Sequence, residues 1–87
     1  MLDVLIKNGD VYDGTGGNAI KANIAVKDGK IVEIGNVNAE ANHILDAAGL
    51  VVSPGFVDLH THYDAQIRWD PWCTISGYHG VTSVVLG

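Results

Sequence analysis

The sequence predicts an α/β chain that opens with a β-rich part: a small β-sandwich domain over residues 1–53, then the start of a strand–helix–strand unit from residue 54. Three observations predict it. Residues 2–52 hold short apolar and β-branched runs separated by Gly, Asn and Asp, the spacing of sandwiches and partial barrels. Asp28-Gly29, between the runs 22–27 and 30–34, is the strongest hairpin signal in the chain. From Pro54 the pattern changes to two apolar runs, 56–61 and 81–86, joined by a connection long enough to return the chain for parallel pairing.

The elements follow in order. Residues 2–6 read as a strand apolar on both faces. Asn8-Gly9 is a turn or bulge signal, and residues 10–12 continue extended. Residues 13–18 form a loop, and residues 22–27 and 30–34 flank the hairpin turn. Residues 35–42 are small, polar and turn-like; 43–46 and 50–52 are brief strands around Ala47-Ala48-Gly49. Residues 2–52 are therefore expected to pair mostly antiparallel. In the second part, residues 56–61 read as a buried strand and 63–74 as a long connection carrying Trp69, Pro71 and Trp72. Residues 74–78 read as a short helix with Thr74 as a possible cap and Gly80 as its stop. Residues 81–86 form a strand parallel to the first.

Composition narrows the partners. Apolar residues make up 47% of the chain and charged residues 17%, so it is rich in core and thin in surface. That fits part of a larger body better than a free small domain. The net charge is −5 and only five Lys and Arg are present, scattered along the chain, which disfavours nucleic acid as a partner. A single cysteine, Cys73, rules out an internal disulfide and makes a reduced, cytoplasmic setting the expectation. The start Met-Leu-Asp-Val lacks a basic leader, and no apolar stretch is long enough to span a membrane.

Gly14-Thr15-Gly16-Gly17-Asn18-Ala19 follows a strand and matches G-x-G-x-x-A, with Glu33 further on, which imitates a dinucleotide fingerprint. That fingerprint requires a helix opening at the loop, with its N-terminus facing the pyrophosphate. Residues 20–30 instead read as a strand ending in the Asp-Gly turn, so an ordinary loop is the expected reading.

The chemistry concentrates in Pro54-Gly55-Phe56-Val57-Asp58-Leu59-His60-Thr61-His62-Tyr63-Asp64. In a strand, alternate residues share a face, so Phe56, Asp58, His60 and His62 would point one way and Val57, Leu59 and Thr61 the other. Two imidazoles on one buried face need partners, and a single metal ion satisfies both. Asp58, on the same face, could orient a ligand imidazole. From the residues alone a second reading stands beside this one: two structural histidines, solvated at an edge or bonded to backbone carbonyls.

Residues 52–62, with Pro54-Gly55-Phe56-Val57-Asp58-Leu59-His60-Thr61-His62 at their centre, resemble the first barrel strand of the amidohydrolase superfamily. Tyr63-Asp64-Ala65-Gln66, Trp69-Asp70-Pro71 and the run His79 to Gly87 are similar to the D-aminoacylase branch, the N-acyl-D-amino-acid deacylases. The resemblance covers essentially the whole chain. It implies a TIM-type (β/α)8 barrel that starts in residues 54–87 beside the small β-domain. It also implies a hydrolase acting on carbon–nitrogen bonds other than peptide bonds, with a small-molecule amide, an N-acyl-D-amino acid, as substrate. His60 and His62 would hold Zn²⁺ through neutral imidazoles, and the ion would polarise the amide carbonyl and bring the pKa of a bound water near 7.

A barrel of this kind needs about 200 residues or more, so 87 residues cannot close one. The chain is therefore expected to be the N-terminal piece of a longer enzyme, partnered by the rest of the barrel beyond Gly87. Further ligands and the catalytic acid/base would lie there, and the piece alone is expected to be inactive. The other candidates have structural readings. Cys73 fits a small buried hydrophobe; the cysteine ligand that the resemblance implies follows the second barrel strand, so Cys73 does not match it. His43 is expected to be structural and His79 a helix-end residue. Trp69 and Trp72 would line a pocket or pack the loop, and Arg68 would meet a carboxylate or stay solvated. A cyclic amidase of hydantoinase or dihydroorotase type, or a non-catalytic β-rich binding module, are the alternatives.

Overall fold

The computed structural model describes residues 1–86, which form two compact units, Met1–Pro54 and the segment from Gly55 on. In the first unit, β1 (Leu2–Val11), β2 (Ile20–Lys27), β3 (Lys30–Gly35), β4 (Ala41–Asp46) and β5 (Val51–Val52) make one sheet in the order β3-β2-β1-β4, with β5 also on β1. The longest strand lies at the centre because its apolar residues face both ways. Leu5, 1% exposed, packs with Ala25 and Val37 on one face. One step along the strand, Ile6 turns to the other face and joins Val26 and Val52 against Val11, Ala22 and Ile24. Burial of one such side chain contributes about 2–3 kcal/mol, so β1 anchors both clusters.

β1–β2 and β2–β3 are antiparallel as expected, whereas β4 and β5 run parallel to β1. The reason lies in residues 36–40, which read as a polar turn in sequence. They carry the chain from the β3 edge to the β4 edge, seating Val37 in the cluster with Leu5 and Ala25. The Asn23 side chain donates to the Val37 carbonyl at 2.8 Å and holds this crossover down. A strand returned across a sheet in this way runs parallel to its neighbour.

The hairpin is where the sequence places it. Asp28 and Gly29 have φ of 53° and 74°, the two positive values of a type I′ turn. The Asp28 N–H donates to Asp3 Oδ2 at 2.7 Å, tying the turn to β1. Gly29→Ala puts a Cβ on left-handed backbone and is expected to cost about 1 kcal/mol, read as a lower denaturation midpoint of the intact protein. An unchanged midpoint would count against this turn. The Asn8-Gly9 signal is a bulge: the β1–β2 register shifts between Ile6 and Gly9, and Asn8 has φ of 63°. A Cβ on Gly9 would stand 2.5 Å from Val52 Cγ2, so glycine lets β5 close on β1.

Residues 20–27 are strand, so the loop at 13–18 opens no helix and the dinucleotide reading falls. Asp13 turns that loop locally by accepting from the Thr15 hydroxyl and the Thr15 N–H. These bonds hold its carboxyl below the usual carboxylate range, the hydroxyl contributing most.

The second unit contains β6 (Phe56–Asp58), α1 (Tyr63–Gln66), α2 (Thr74–Tyr78) and β7 (Val81–Val84). β6 and β7 pair in parallel, the expected strand–helix–strand arrangement. Three details differ from expectation. β6 stops at Asp58 instead of reaching Thr61, for a reason given below. It is not buried: Phe56 is 63% and Val57 61% exposed, because a two-stranded sheet and helices of four and five residues cannot cover both its faces. The cap of α2 is not Thr74. Cys73, with φ of 50°, occupies that position, and the Asp70 carboxylate takes over by accepting from the Thr74 hydroxyl at 2.7 Å and the Thr74 N–H at 3.0 Å. The same bonds hold the Asp70 carboxyl below its ordinary range, the hydroxyl first. α1 falls within the stretch that read as connection. Gly80, with φ of 80°, ends α2 as expected. Among the described residues, no helix is long and apolar enough to cross a membrane.

Candidate metal centre

The end of β6 sets the geometry of the histidines. A parallel ladder alternates its bonds evenly between strands. Its last rung here is the Val85 N–H donating to the Asp58 carbonyl at 2.9 Å. The next rung would be the His60 N–H donating to the Val85 carbonyl. It does not form. The His60 N–H turns back to Asp58 Oδ1 at 3.1 Å, and the Val85 carbonyl accepts from the Thr61 hydroxyl at 2.6 Å. Short polar side chains thus replace the ladder with local bonds, which is how Asp and Thr end regular structure. His60 and His62 consequently sit on the segment between β6 and α1, and strict strand alternation does not govern them.

The two imidazoles nevertheless stay together. Their ring centroids are 5.3 Å apart, with the planes at 82°. A zinc–nitrogen bond of about 2.0–2.1 Å places a ring centroid about 3.2 Å from the ion, and a tetrahedral angle then separates two centroids by about 5.2 Å. The observed centroid separation is that of two imidazoles on one tetrahedral ion. Both histidines are exposed, as open ligands would be. Among the described residues, no group of three or more His, Cys, Asp or Glu is placed to hold a metal ion, so the pair is at most part of a site.

Asp58 sits next to the pair, but its hydrogen bond goes to the His60 main chain and not to an imidazole. It acts on His60 through the backbone turn. Sequence reading gave no separate role to Tyr63, which follows His62 and is 7% exposed, with its hydroxyl 2.7 Å from Ser76 Oγ on α2. A large side chain with a polar tip, placed directly after the second histidine, is the signal that could have marked it.

The remaining candidates lie elsewhere on the chain. His43 is exposed on β4, opposite Val4 of β1. His79 caps the C-terminus of α2, the expected helix-end position. Cys73 is half-buried and borders a shallow depression with Trp72, Ser76 and residues 81–84. Trp69 and Trp72 are 74% and 87% exposed, so neither packs the loop. Arg68 is exposed and makes no ion pair among the described residues.

The sequence pattern of the amidohydrolase family matches residues 43–87, which include β6, both histidines and β7, and the chain belongs to that family. Particular relatives refine the comparison. An N-acyl-D-glutamate deacylase from Bordetella bronchiseptica, solved with zinc and a phosphonate inhibitor, is 40% identical with a TM-score of 0.92 over 99% of this chain and 18% of its own. The allantoinase of Escherichia coli O1:K1 / APEC is 53% identical over 95% of this chain and 19% of its own. The L-hydantoinase of Arthrobacter aurescens is 39% identical with a TM-score of 0.63 over 71% of this chain and 14% of its own. The chain thus spans less than one fifth of the length of each of these proteins.

Proposed function

We propose that the intact protein is a metal-dependent amidohydrolase that cleaves a linear amide, an N-acyl-D-amino acid, and that His60 and His62 are two ligands of its Zn²⁺. The observation that carries this reading is the imidazole pair: two exposed rings at one-ion spacing, in the segment matched by the amidohydrolase family. When bound, the ion polarises the amide carbonyl and brings the pKa of a water near 7. The chain's own residues hold and orient. His60 and His62 offer ring nitrogens as donors to the ion, and Asp58 fixes the turn that carries His60. Catalytic zinc sites use three protein ligands and one open position, so other parts of the intact protein complete the set and supply the proton donor for the leaving amine.

The linear-amide reading is favoured over a cyclic amidase because the likeness to the deacylase extends over 99% of this chain and that to the hydantoinase over 71%. The identity with allantoinase keeps the cyclic amide as the second reading. The test is direct. The zinc-loaded intact protein is assayed against N-acetyl-D-amino acids, their L-enantiomers, hydantoin and allantoin. Hydrolysis of the D-series alone is expected. Turnover confined to the ring substrates would establish the cyclic amidase instead, and a protein that purifies without stoichiometric metal and turns over nothing would support the binding-module alternative.

A further inference from the structure

We infer that Thr61 is a positioning residue for the histidine pair: its hydroxyl bond to the Val85 carbonyl holds His60 and His62 at one-ion spacing. The inference rests on the metal reading above and adds to it a residue outside the ligand set.

The argument starts from the missing rung. Once the His60 N–H turns to Asp58, the Val85 carbonyl loses its natural main-chain donor at the open end of the β6–β7 ladder. The Thr61 hydroxyl fills that vacancy at 2.6 Å. A closed loop of bonds results: Asp58 carbonyl to Val85 N–H, Val85 carbonyl to Thr61 hydroxyl, and His60 N–H back to Asp58 Oδ1. Of the other links, one is main chain to main chain and one is local, from the His60 N–H to the side chain two residues before it. Thr61 alone reaches from between the two histidines to the neighbouring strand.

Its position makes it decisive for both rings. Each imidazole is attached one residue from Thr61, so rotation of the Thr61 backbone swings the two rings relative to each other. On the far side of His62, Tyr63 is buried and bonded to Ser76. His62 is therefore pinned from both sides, whereas His60 depends on Asp58 and Thr61 alone. Valine has nearly the shape of threonine but no hydroxyl. It would leave the Val85 carbonyl to water and release the segment without adding bulk.

The test uses the intact protein and reads metal binding, not turnover alone. Thr61→Val, Thr61→Ser and His60→Ala are each compared with wild type by zinc titration against a competing chelator, zinc release rate and thermal unfolding of the metal-free form. Thr61→Val is expected to weaken zinc affinity about tenfold or more, the usual cost of losing a group that orients ligands, chiefly through faster release. Thr61→Ser, which keeps the hydroxyl, is expected to restore affinity to within a few-fold. Metal-free unfolding should be nearly unchanged in both. If His60→Ala abolishes zinc binding while Thr61→Val matches wild type, the positioning role is overturned and the metal reading stands. If His60→Ala itself retains full zinc affinity, the metal reading falls and takes this inference with it. Equal losses in Thr61→Val and Thr61→Ser, or a parallel loss of metal-free stability, would also overturn it, since either would mark a packing role.

Discussion

Replacing His60 or His62 with alanine in the intact protein is expected to remove most bound zinc and nearly all amidase activity. Groups that only orient a ligand cost about ten- to a hundredfold in affinity when lost, so a lost donor should cost more than about a hundredfold. The fold should survive, because both side chains are exposed and the nearby anchors, Tyr63 with Ser76 and Val85 with Asp58, do not use them. Zinc content by elemental analysis and circular dichroism on the same samples check both halves. Asp58→Asn should do much less. Asparagine keeps a carbonyl oxygen where Asp58 Oδ1 accepts the His60 N–H, so the turn persists and only the nearby charge is lost. An Asp58→Asn loss as large as that of His60→Ala would mean the carboxylate itself touches the ion.

Gly55→Ala is the substitution with the largest expected structural effect. A Cβ at this position would lie 2.2 Å from both Thr82 Cγ2 and Thr82 Oγ1, and 2.7 Å from Thr82 Cβ. Rotating the Thr82 side chain can carry only one of its two γ atoms away, and the overlap with Thr82 Cβ stays, because Cβ is fixed to the backbone. The β6–β7 pair must therefore part where it begins, near the bond from the Phe56 N–H to the Gly80 carbonyl. Overpacking of this kind costs about 1–3 kcal/mol, and the upper end is expected here. The measurement is a double-mutant cycle in denaturant with Thr82→Ala, which removes the two nearest atoms. The pair should recover part of the loss and not all of it. Additive effects would show that Gly55 and Thr82 do not meet. Because the same ladder ends at Asp58, just before the histidines, zinc affinity should fall along with stability.

Local rules made much of this molecule legible. Asp28-Gly29 announced its hairpin because both residues tolerate positive φ, and Asn8 announced its bulge for the same reason, with Gly9 leaving room for Val52. The helix stop at Gly80 and the parallel pairing of β6 with β7 were readable from a glycine and from two apolar runs separated by a long connection. The pairing of β4 and β5 was not readable. For β4 it goes with the crossover over residues 36–40, which seats Val37 in the cluster with Leu5 and Ala25. The cap of α2 was missed because the residue in the cap position, Cys73, is a poor capper, and Asp70 supplies the acceptor from four residues before Thr74.

For the candidate site, residue identity came from the sequence and arrangement from the tertiary structure. His-x-His after Pro-Gly, with Asp58 before it, raised His60 and His62 as metal candidates beside a structural reading, and the family resemblance favoured the metal. Period-two alternation was the wrong reason for expecting the rings together. The strand ends at Asp58, and the rings meet at 5.3 Å on the segment beyond it. A side chain's choice between its own turn and a neighbouring strand is a competition among hydrogen bonds, and the winner depends on where the neighbour lies. Asp58, Thr61 and Val85 settle that competition only once β7 stands beside β6, so which bonds end the strand and set the histidines was decided by the tertiary structure.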